Sequence, residues 1–380
     1  MTAGRRAGWL VGVTGLILTA CTLTVSRHGA PASTEANPMA MDLDIRGRGA
    51  PVYRIPALVR TTRGTLLAAY DARPTMADVP SHIAIVLRRS EDQGVTWGER
   101  QVVRADTAPL GFGDPSLLVD RETGRVFLFH AASVRQGFFG SLVGNSDTDP
   151  DVLQMDVSWS DDDGRNWQHR RLTGAAKNPR WGGVFAASGE GIQLQRGRFR
   201  GRLLQPYVIR IEGKTYGATL LSDDHGATWR FGVLVGPGID EHKLVELNDG
   251  RVLLNSRAKP FRLIAESRDG GASYGPLRAD SALPDPANNG AILRVSAAGP
   301  RALLFSNTAD TTARQRLTLR LSCDDGQTWP HARVLEPGPA AYSTVTDLGD
   351  GTVGVLFERG PYEAIRFARV PIAWVGRCRR

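Results

Sequence analysis

The chain has 380 residues, 41% hydrophobic and 23% charged, with a formal net charge of +8. That is enough apolar material for a large core in one all-β domain. The basic residues are scattered as single arginines rather than gathered in runs, so a nucleic-acid partner is not expected, and a soluble surface with a local anion site fits instead.

In chain order, Arg5 and Arg6 precede an apolar run from Trp9 to Leu18. The run is too short for a comfortable membrane span and suits the apolar region of a signal segment. It ends in Leu18-Thr19-Ala20-Cys21, which is similar to a bacterial lipobox whose cysteine becomes the lipidated first residue; an ordinary signal peptide cut nearby is the alternative. Residues 1–21 are therefore read as a signal segment for export to the outside or surface of the cell, with an N-terminal lipid as the one expected membrane attachment. Residues 22–40, rich in Ser, Thr, Ala and Pro, read as a flexible linker, and residues 41–380 as the folded domain.

Strand signals dominate that domain. Residues 65–70, 83–87, 125–129, 217–221, 251–254 and 352–357 are short β-prone runs bounded by Gly, Asp or Asn. No long apolar period of 3.6 residues appears, so little helix is expected. Asp249-Gly250 and Asp350-Gly351 mark hairpin turns.

A second pattern punctuates these runs. Ser90-Glu91-Asp92-Gln93-Gly94-Val95-Thr96-Trp97 has the form S-x-D-x-G-x-[T/N/S]-[W/Y], and it returns at 160–167, 222–229, 267–274 and 322–329. The starts lie 70, 62, 45 and 55 residues apart, which defines a structural repeat with variable insertions. Physically, the Asp caps its own tight turn, the Gly supplies positive φ, and the terminal aromatic packs beneath. The motif is a folding device.

Five such turns following Tyr53-Arg54-Ile55-Pro56 resemble the sialidases, whose turns of this kind are Asp-boxes. The resemblance runs from about Met41 to Trp374 and is nearest to the secreted bacterial members. It implies a six-bladed β-propeller with five Asp-boxes joining third and fourth strands, and a sixth blade closed by strands from both ends of the chain. It also implies an exo-α-sialidase that removes terminal sialic acids from glycoproteins, glycolipids or other sialylated glycans with retention of configuration.

The substrate class explains which residues matter. Sialic acid carries a carboxylate on the anomeric carbon, and planar guanidinium groups hold such an anion in two-point contact. By resemblance the first of three such arginines is Arg54. The second is Arg262, with Arg257 as its rival, and the third is Arg314, with Arg316 on the same strand face as its neighbour. A carboxylate nucleophile would be repelled by the substrate, whereas a neutral phenol would not. Tyr342, in Ala341-Tyr342-Ser343-Thr344, matches the family's nucleophile. A phenol with an ordinary pKa of about 10 needs a base beside it, and Glu246 is read as that base. Asp78, in a loop after the first strands, matches the acid/base residue. Arg73 is expected to touch sugar hydroxyls, and Asp114 the glycerol or N-acetyl side, with Phe138 or Phe139 against the acetamido methyl. Asp71 is read as a turn cap.

Seven histidines form no closely spaced cluster and no phosphate-binding glycine loop appears, so neither a metal nor a cofactor is expected. A monomer is expected. Cys323 and Cys378 either pair, pinning the tail to the last Asp-box, or remain two buried thiols. Two other readings keep most of this set: a trans-sialidase, which differs in acceptor binding, and a non-catalytic propeller that binds sialylated glycans.

Overall fold

The computed structural model describes residues 36–378, together with Met1 and Gly8. The signal segment 1–21 with its Cys21, and most of the linker 22–40, therefore lie outside the described residues. The folded part starts at β1 (Met39–Ile45), two residues ahead of the expected boundary at 41.

The first sheet is β2 (Val52–Arg60), β3 (Leu66–Arg73), β4 (Ala84–Ser90) and β5 (Gln101–Arg104). The second is β6 (Gly111–Val119), β7 (Val126–Ser133), β8 (Gln154–Ser160) and β9 (Gln168–Arg171). A one-turn helix α1 (Thr173–Ala176) leads to the short strands β10 (Val184–Ala186), β11 (Gly189–Glu190) and β12 (Ile192–Gln193). Of these, β11 runs parallel to β6, while β10 and β12 edge a third sheet with β13 (Leu203–Ile211), β14 (Lys214–Ser222) and β15 (Arg230–Phe231). The fourth sheet is β16 (His242–Glu246), β17 (Val252–Ser256), β18 (Phe261–Ser267) and β19 (Arg278–Pro284). The fifth is seven-stranded and comprises β20 (Ala291–Arg294), β21 (Leu303–Thr308), β22 (Gln315–Ser322), β23 (His331–Asp347), β24 (Thr352–Arg359), β25 (Ala364–Pro371) and β1. A second one-turn helix, α2 (Ile372–Val375), follows.

The strands bury consecutive residues rather than alternate ones: β7 is buried at every position and β3 at all but one. Both faces of each sheet are thus covered, and what covers them is the next sheet. One apolar cluster joins Leu67 and Leu87 of the first sheet to Leu117 and Leu128 of the second. Others join second to third through Phe129 and Tyr207, third to fourth through Leu204 and Leu254, and fourth to fifth through Leu253 and Leu303. A further cluster returns from Tyr70 and Leu66 of the first sheet to Leu356 and Phe367 at the C-terminal end. Each sheet packs on its sequence neighbours and the last packs on the first, which is the ring arrangement of an all-β propeller.

Separate sheets among the described residues number five, where six blades were expected. The physical reason is β23, a 17-residue strand that pairs with β22 through its first half and with β24 through its second, so hydrogen bonding runs unbroken through both. The ring is closed by β1 pairing antiparallel with β25.

The repeated turns form as their composition dictates. Each connects the third strand of its sheet to the next. In the first, Asp92 accepts from the Ser90 hydroxyl at 2.8 Å, the Thr96 amide at 2.9 Å and the Thr96 hydroxyl at 2.6 Å. Asp162, Asp224, Asp269 and Asp324 repeat the set. Two successive residues take positive φ rather than the one expected, as at Gln93 (58°) and Gly94 (85°). Gly94 is also a site of close approach: a Cβ there would lie 2.2 Å from the Phe367 ring, in the neighbouring part of the ring. The turn therefore clamps one sheet onto the previous one. Trp97 adds to that seam by meeting Phe367 edge to face, ring centroids 5.0 Å apart. Cys323 and Cys378 are bonded, Cα atoms 5.5 Å apart, and tie the tail to the last of these turns.

Candidate active site

Three inner strands break register in the same way. Between Arg54 and Ala57 in β2, Gly113 and Ser116 in β6, and Ala340 and Ser343 in β23, three steps on one strand face two on its partner. Each is a β-bulge, a device that bends the strand and re-aims side chains. Ile55 (φ 61°) and Asp114 (φ 59°) are left-handed as a result. A β-branched residue in that region costs on the order of 1–3 kcal/mol. The Ile55 amide is held there by donating to Glu358 Oε1 at 2.9 Å. The same carboxylate accepts from Arg54 Nε at 3.2 Å and from the Tyr342 amide at 3.1 Å, so buried Glu358 fastens two bulges together.

These bulges bring Arg54 and Tyr342 to one place. The Tyr342 hydroxyl donates to Glu241 Oε2 at 2.5 Å and accepts from Arg257 Nη1 at 2.6 Å. Arg257 Nη1 also reaches Glu241 Oε2 at 2.7 Å. The guanidinium carbons of Arg54, Arg257 and Arg314 lie 5.5, 5.9 and 5.4 Å from the Tyr342 ring centroid. Arg314 is steadied by the Tyr362 hydroxyl at 3.2 Å and the Ala287 carbonyl at 3.2 Å. Burial, then the Glu241 carboxylate, push the Tyr342 phenol well up, against the pull of the three arginines. Burial would raise Glu241 too, but Arg257, the Tyr342 hydroxyl and Lys243 outweigh it and hold the carboxyl below its usual range. The proton is thus on the phenol and the charge on the carboxylate.

A second group of charges adjoins Arg54. Arg73 donates to Asp71 Oδ2 through Nε (2.9 Å) and Nη2 (2.7 Å), and through Nη1 to Asp78 Oδ1 at 2.6 Å. Asp78 also lies 3.9 Å from Arg54 Nη1, and its side chain is 70% exposed, open to whatever enters. Asp71 is fully buried in β3 rather than capping a turn; burial, opposed by Arg73, pushes its carboxyl up to about 6. Asp114 is driven well up by burial and then by Asp71 and Asp78. Phe138 packs beside Val79 and Phe185, while Phe139 is exposed.

Two sequence expectations are corrected. Glu246 is not beside the phenol: it ends β16, accepting from the Gln195 and Arg196 amides at 2.9 Å each. Glu241, just ahead of β16, takes its place. Arg262 is not in the cationic group either. It is completely buried in β18, bonded to Asn255, Asp285 and the Asn288 carbonyl, and balances Asp285 inside the fourth sheet. The second arginine is Arg257, the rival considered from the sequence. Glu241 and Glu358 were not singled out, although the Asp249-Gly250 turn carried a signal for the first. Both Glu241 and Arg257 lie eight residues from Asp249, so the hairpin register makes them cross-strand neighbours.

Fold and site together define an all-β propeller of repeated aspartate turns whose inner rim holds a phenol, a carboxylate and three guanidinium groups. A family model described as a BNR repeat-like domain matches residues 64–355. The chain is 51% identical over 365 residues to a sialidase of Micromonospora viridifaciens, covering 92% of this chain and 56% of that one. It is 28% identical to a sialidase of Bacteroides fragilis (strain YCH46), covering 80% and 60%. Among solved structures, the Hadza microbial sialidase Hz136 superposes with a TM-score of 0.82 at 28% identity, covering 89% and 69%. The chain belongs to the BNR repeat-like sialidase family. It spans less than two thirds of the length of the two curated relatives named here.

Proposed function

We propose that the chain is an exo-α-sialidase that removes terminal sialic acids from glycoconjugates with retention, through a covalent bond to Tyr342. The reading rests above all on the contact of the Tyr342 hydroxyl with Glu241 at 2.5 Å and Arg257 at 2.6 Å. Arg54, Arg257 and Arg314 clamp the substrate carboxylate. As the Tyr342 oxygen attacks the anomeric carbon, its proton passes to Glu241. Asp78, in its acid form, delivers a proton to the departing glycosidic oxygen. In the second half-reaction Asp78 takes a proton from water, the water oxygen displaces Tyr342, and Glu241 returns the proton to the phenol. Two inversions give net retention. Arg73, anchored by Asp71, holds Asp78 over the site.

The ring is read as six blades, counting the seven-stranded sheet as two that share β23. The N-terminal segment is read as an export signal with lipidation of Cys21. A fluorogenic sialoside, cleaved by the purified protein, tests the activity. Proton NMR of the first-formed sugar tests retention: the α-anomer is expected, and an initial β-anomer overturns the mechanism. Added lactose separates hydrolase from trans-sialidase, since sialyllactose forms only in the latter. The non-catalytic binding reading predicts no release at all.

A further inference from the structure

The inner strands that start at the phenol end at a second concave site. Arg54 and Arg60 belong to the same strand β2, six residues apart and hence roughly 20 Å. At the far end the C-terminal residues of β2, β6, β16, β20 and β23, with β11 and β12, enclose a cavity of 310 Å3. A volume of this order suits a small molecule.

The charges around it do not balance. Arg294 is taken up by Asp325 and the Glu246 carbonyl, Glu246 by the Gln195 and Arg196 amides, and Glu190 by Thr344 and Lys243. The Arg196 guanidinium lies 3.7 Å from Glu246, and Arg60, Arg121 and the single carboxylate of Asp347 remain. Among the described residues neither the Arg60 nor the Arg121 guanidinium makes a hydrogen bond or ion pair, and Arg60 Nε is buried without a partner. A buried donor left unmade costs about 1–3 kcal/mol; Arg60 Nε is such a donor, while Arg121 is exposed beside it and free to close on an acceptor. Although Arg121 is exposed, the protein mass around it and then the like charge of Arg60 depress it, with Asp347 opposing. The rest of the wall is mixed: Leu58, Val119, Ile192, Leu244 and Val345 give it one apolar part, and Gln193, Thr346 and Asp347 are among its polar residues.

We propose that this cavity is a second anion site, taking a small organic carboxylate whose oxygens lie between Arg60 and Arg121 and whose apolar body rests on Val119, Ile192, Leu244 and Val345. A metal cation has no place between two guanidinium groups, and a bare inorganic ion would leave the apolar wall uncovered.

The test uses the full chain with hexanoate as probe, at constant ionic strength, by thermal shift and calorimetric titration. Because the phenol-side arginines also attract carboxylates, the wild type is compared with Arg121→Gln and Arg314→Gln. Saturable binding that weakens about tenfold in Arg121→Gln and persists in Arg314→Gln is the expected result. Sialoside turnover and the melting curve of Arg121→Gln, each measured without hexanoate, report that the variant is folded. Relief of the Arg60 repulsion should leave its melting temperature at or above that of the wild type. Absence of saturable binding to the wild type, equal binding to all three proteins, or loss only in Arg314→Gln overturns the proposal. Inorganic phosphate binding as tightly as hexanoate overturns the role given to the apolar wall.

Discussion

The five outer turns and the three inner bulges show two uses of a repeated backbone. In the turns both backbone and side chains repeat: Ser, Asp and Gly recur and the same hydrogen bonds form around each Asp. At the bulges only the backbone repeats, and the side chains presented are Arg54 in β2, Asp114 in β6 and Tyr342 in β23. A recurring structural need, clamping one sheet to the last, keeps its residues wherever it arises. A chemical task needs unlike groups at one point, so the same kink is filled differently in each sheet.

If that contrast is right, changes at the inner rim should destroy activity and spare the fold, whereas changes in the turns should do the reverse. The largest expected effect is Glu241→Gln, which removes the base from the phenol and should lower kcat by about 10²–10⁴-fold with an unchanged circular dichroism spectrum. Glu246→Gln, five residues along the same chain, should leave kcat within a factor of about two, since Glu246 holds the Gln195 and Arg196 amides and the Arg196 guanidinium rather than the phenol. Equal losses in the two variants would break the assignment of the base. The arginine pair gives the next contrast. Arg262→Ala strands Asp285 in the core and should cost about 3–5 kcal/mol of stability, read from denaturant midpoints. Arg257→Ala also takes a partner from buried Glu241, but the Tyr342 hydroxyl and Lys243 stay beside that carboxylate. It should therefore cost less stability than Arg262→Ala and lose about tenfold or more in kcat/KM.

Smaller effects belong to the turns. Asp92→Ala should cost about 1 kcal/mol for each net hydrogen bond lost and leave kcat alone. The Thr96 hydroxyl and amide hold the Asp92 carboxyl down at about 2, and the Asp162 carboxyl is likewise pulled to about 2 by the Asn166 amide and side chain despite partial burial. Groups whose folded pKa is lowered stabilise the protein above their unfolded value of 3.8, and that contribution is lost as pH falls toward 2. The melting temperature should therefore drop between about pH 4 and pH 2, and less steeply in Asp92→Asn.

The same contrast explains what could be read in advance. The turns were legible because spacing and composition repeat, and the hairpins at Asp249-Gly250 and Asp350-Gly351 because their turn chemistry is local. Arg54, Arg314, Tyr342 and Asp78 stood in motif contexts, and the structure gathers them. The base and the second arginine were misplaced because strand periodicity alone cannot say which end of a strand faces the rim. Glu241 just precedes the buried run of β16 and Glu246 ends it, and only the pairing of β16 with β17 sets Glu241 against Arg257. Glu358 was hidden for another reason. It ends a buried apolar run, and its partners, the Ile55 and Tyr342 amides, are created by bulges that no local signal announced.

The account depends most on the Tyr342 oxygen bonding to the sugar. Acid quenching of the protein during steady turnover of a sialoside, followed by peptide mass spectrometry, tests this directly. A sialyl adduct on the peptide containing Tyr342, absent in Tyr342→Phe together with nearly all turnover, is the predicted result. Full turnover by Tyr342→Phe, or an adduct carried by another residue, would contradict it.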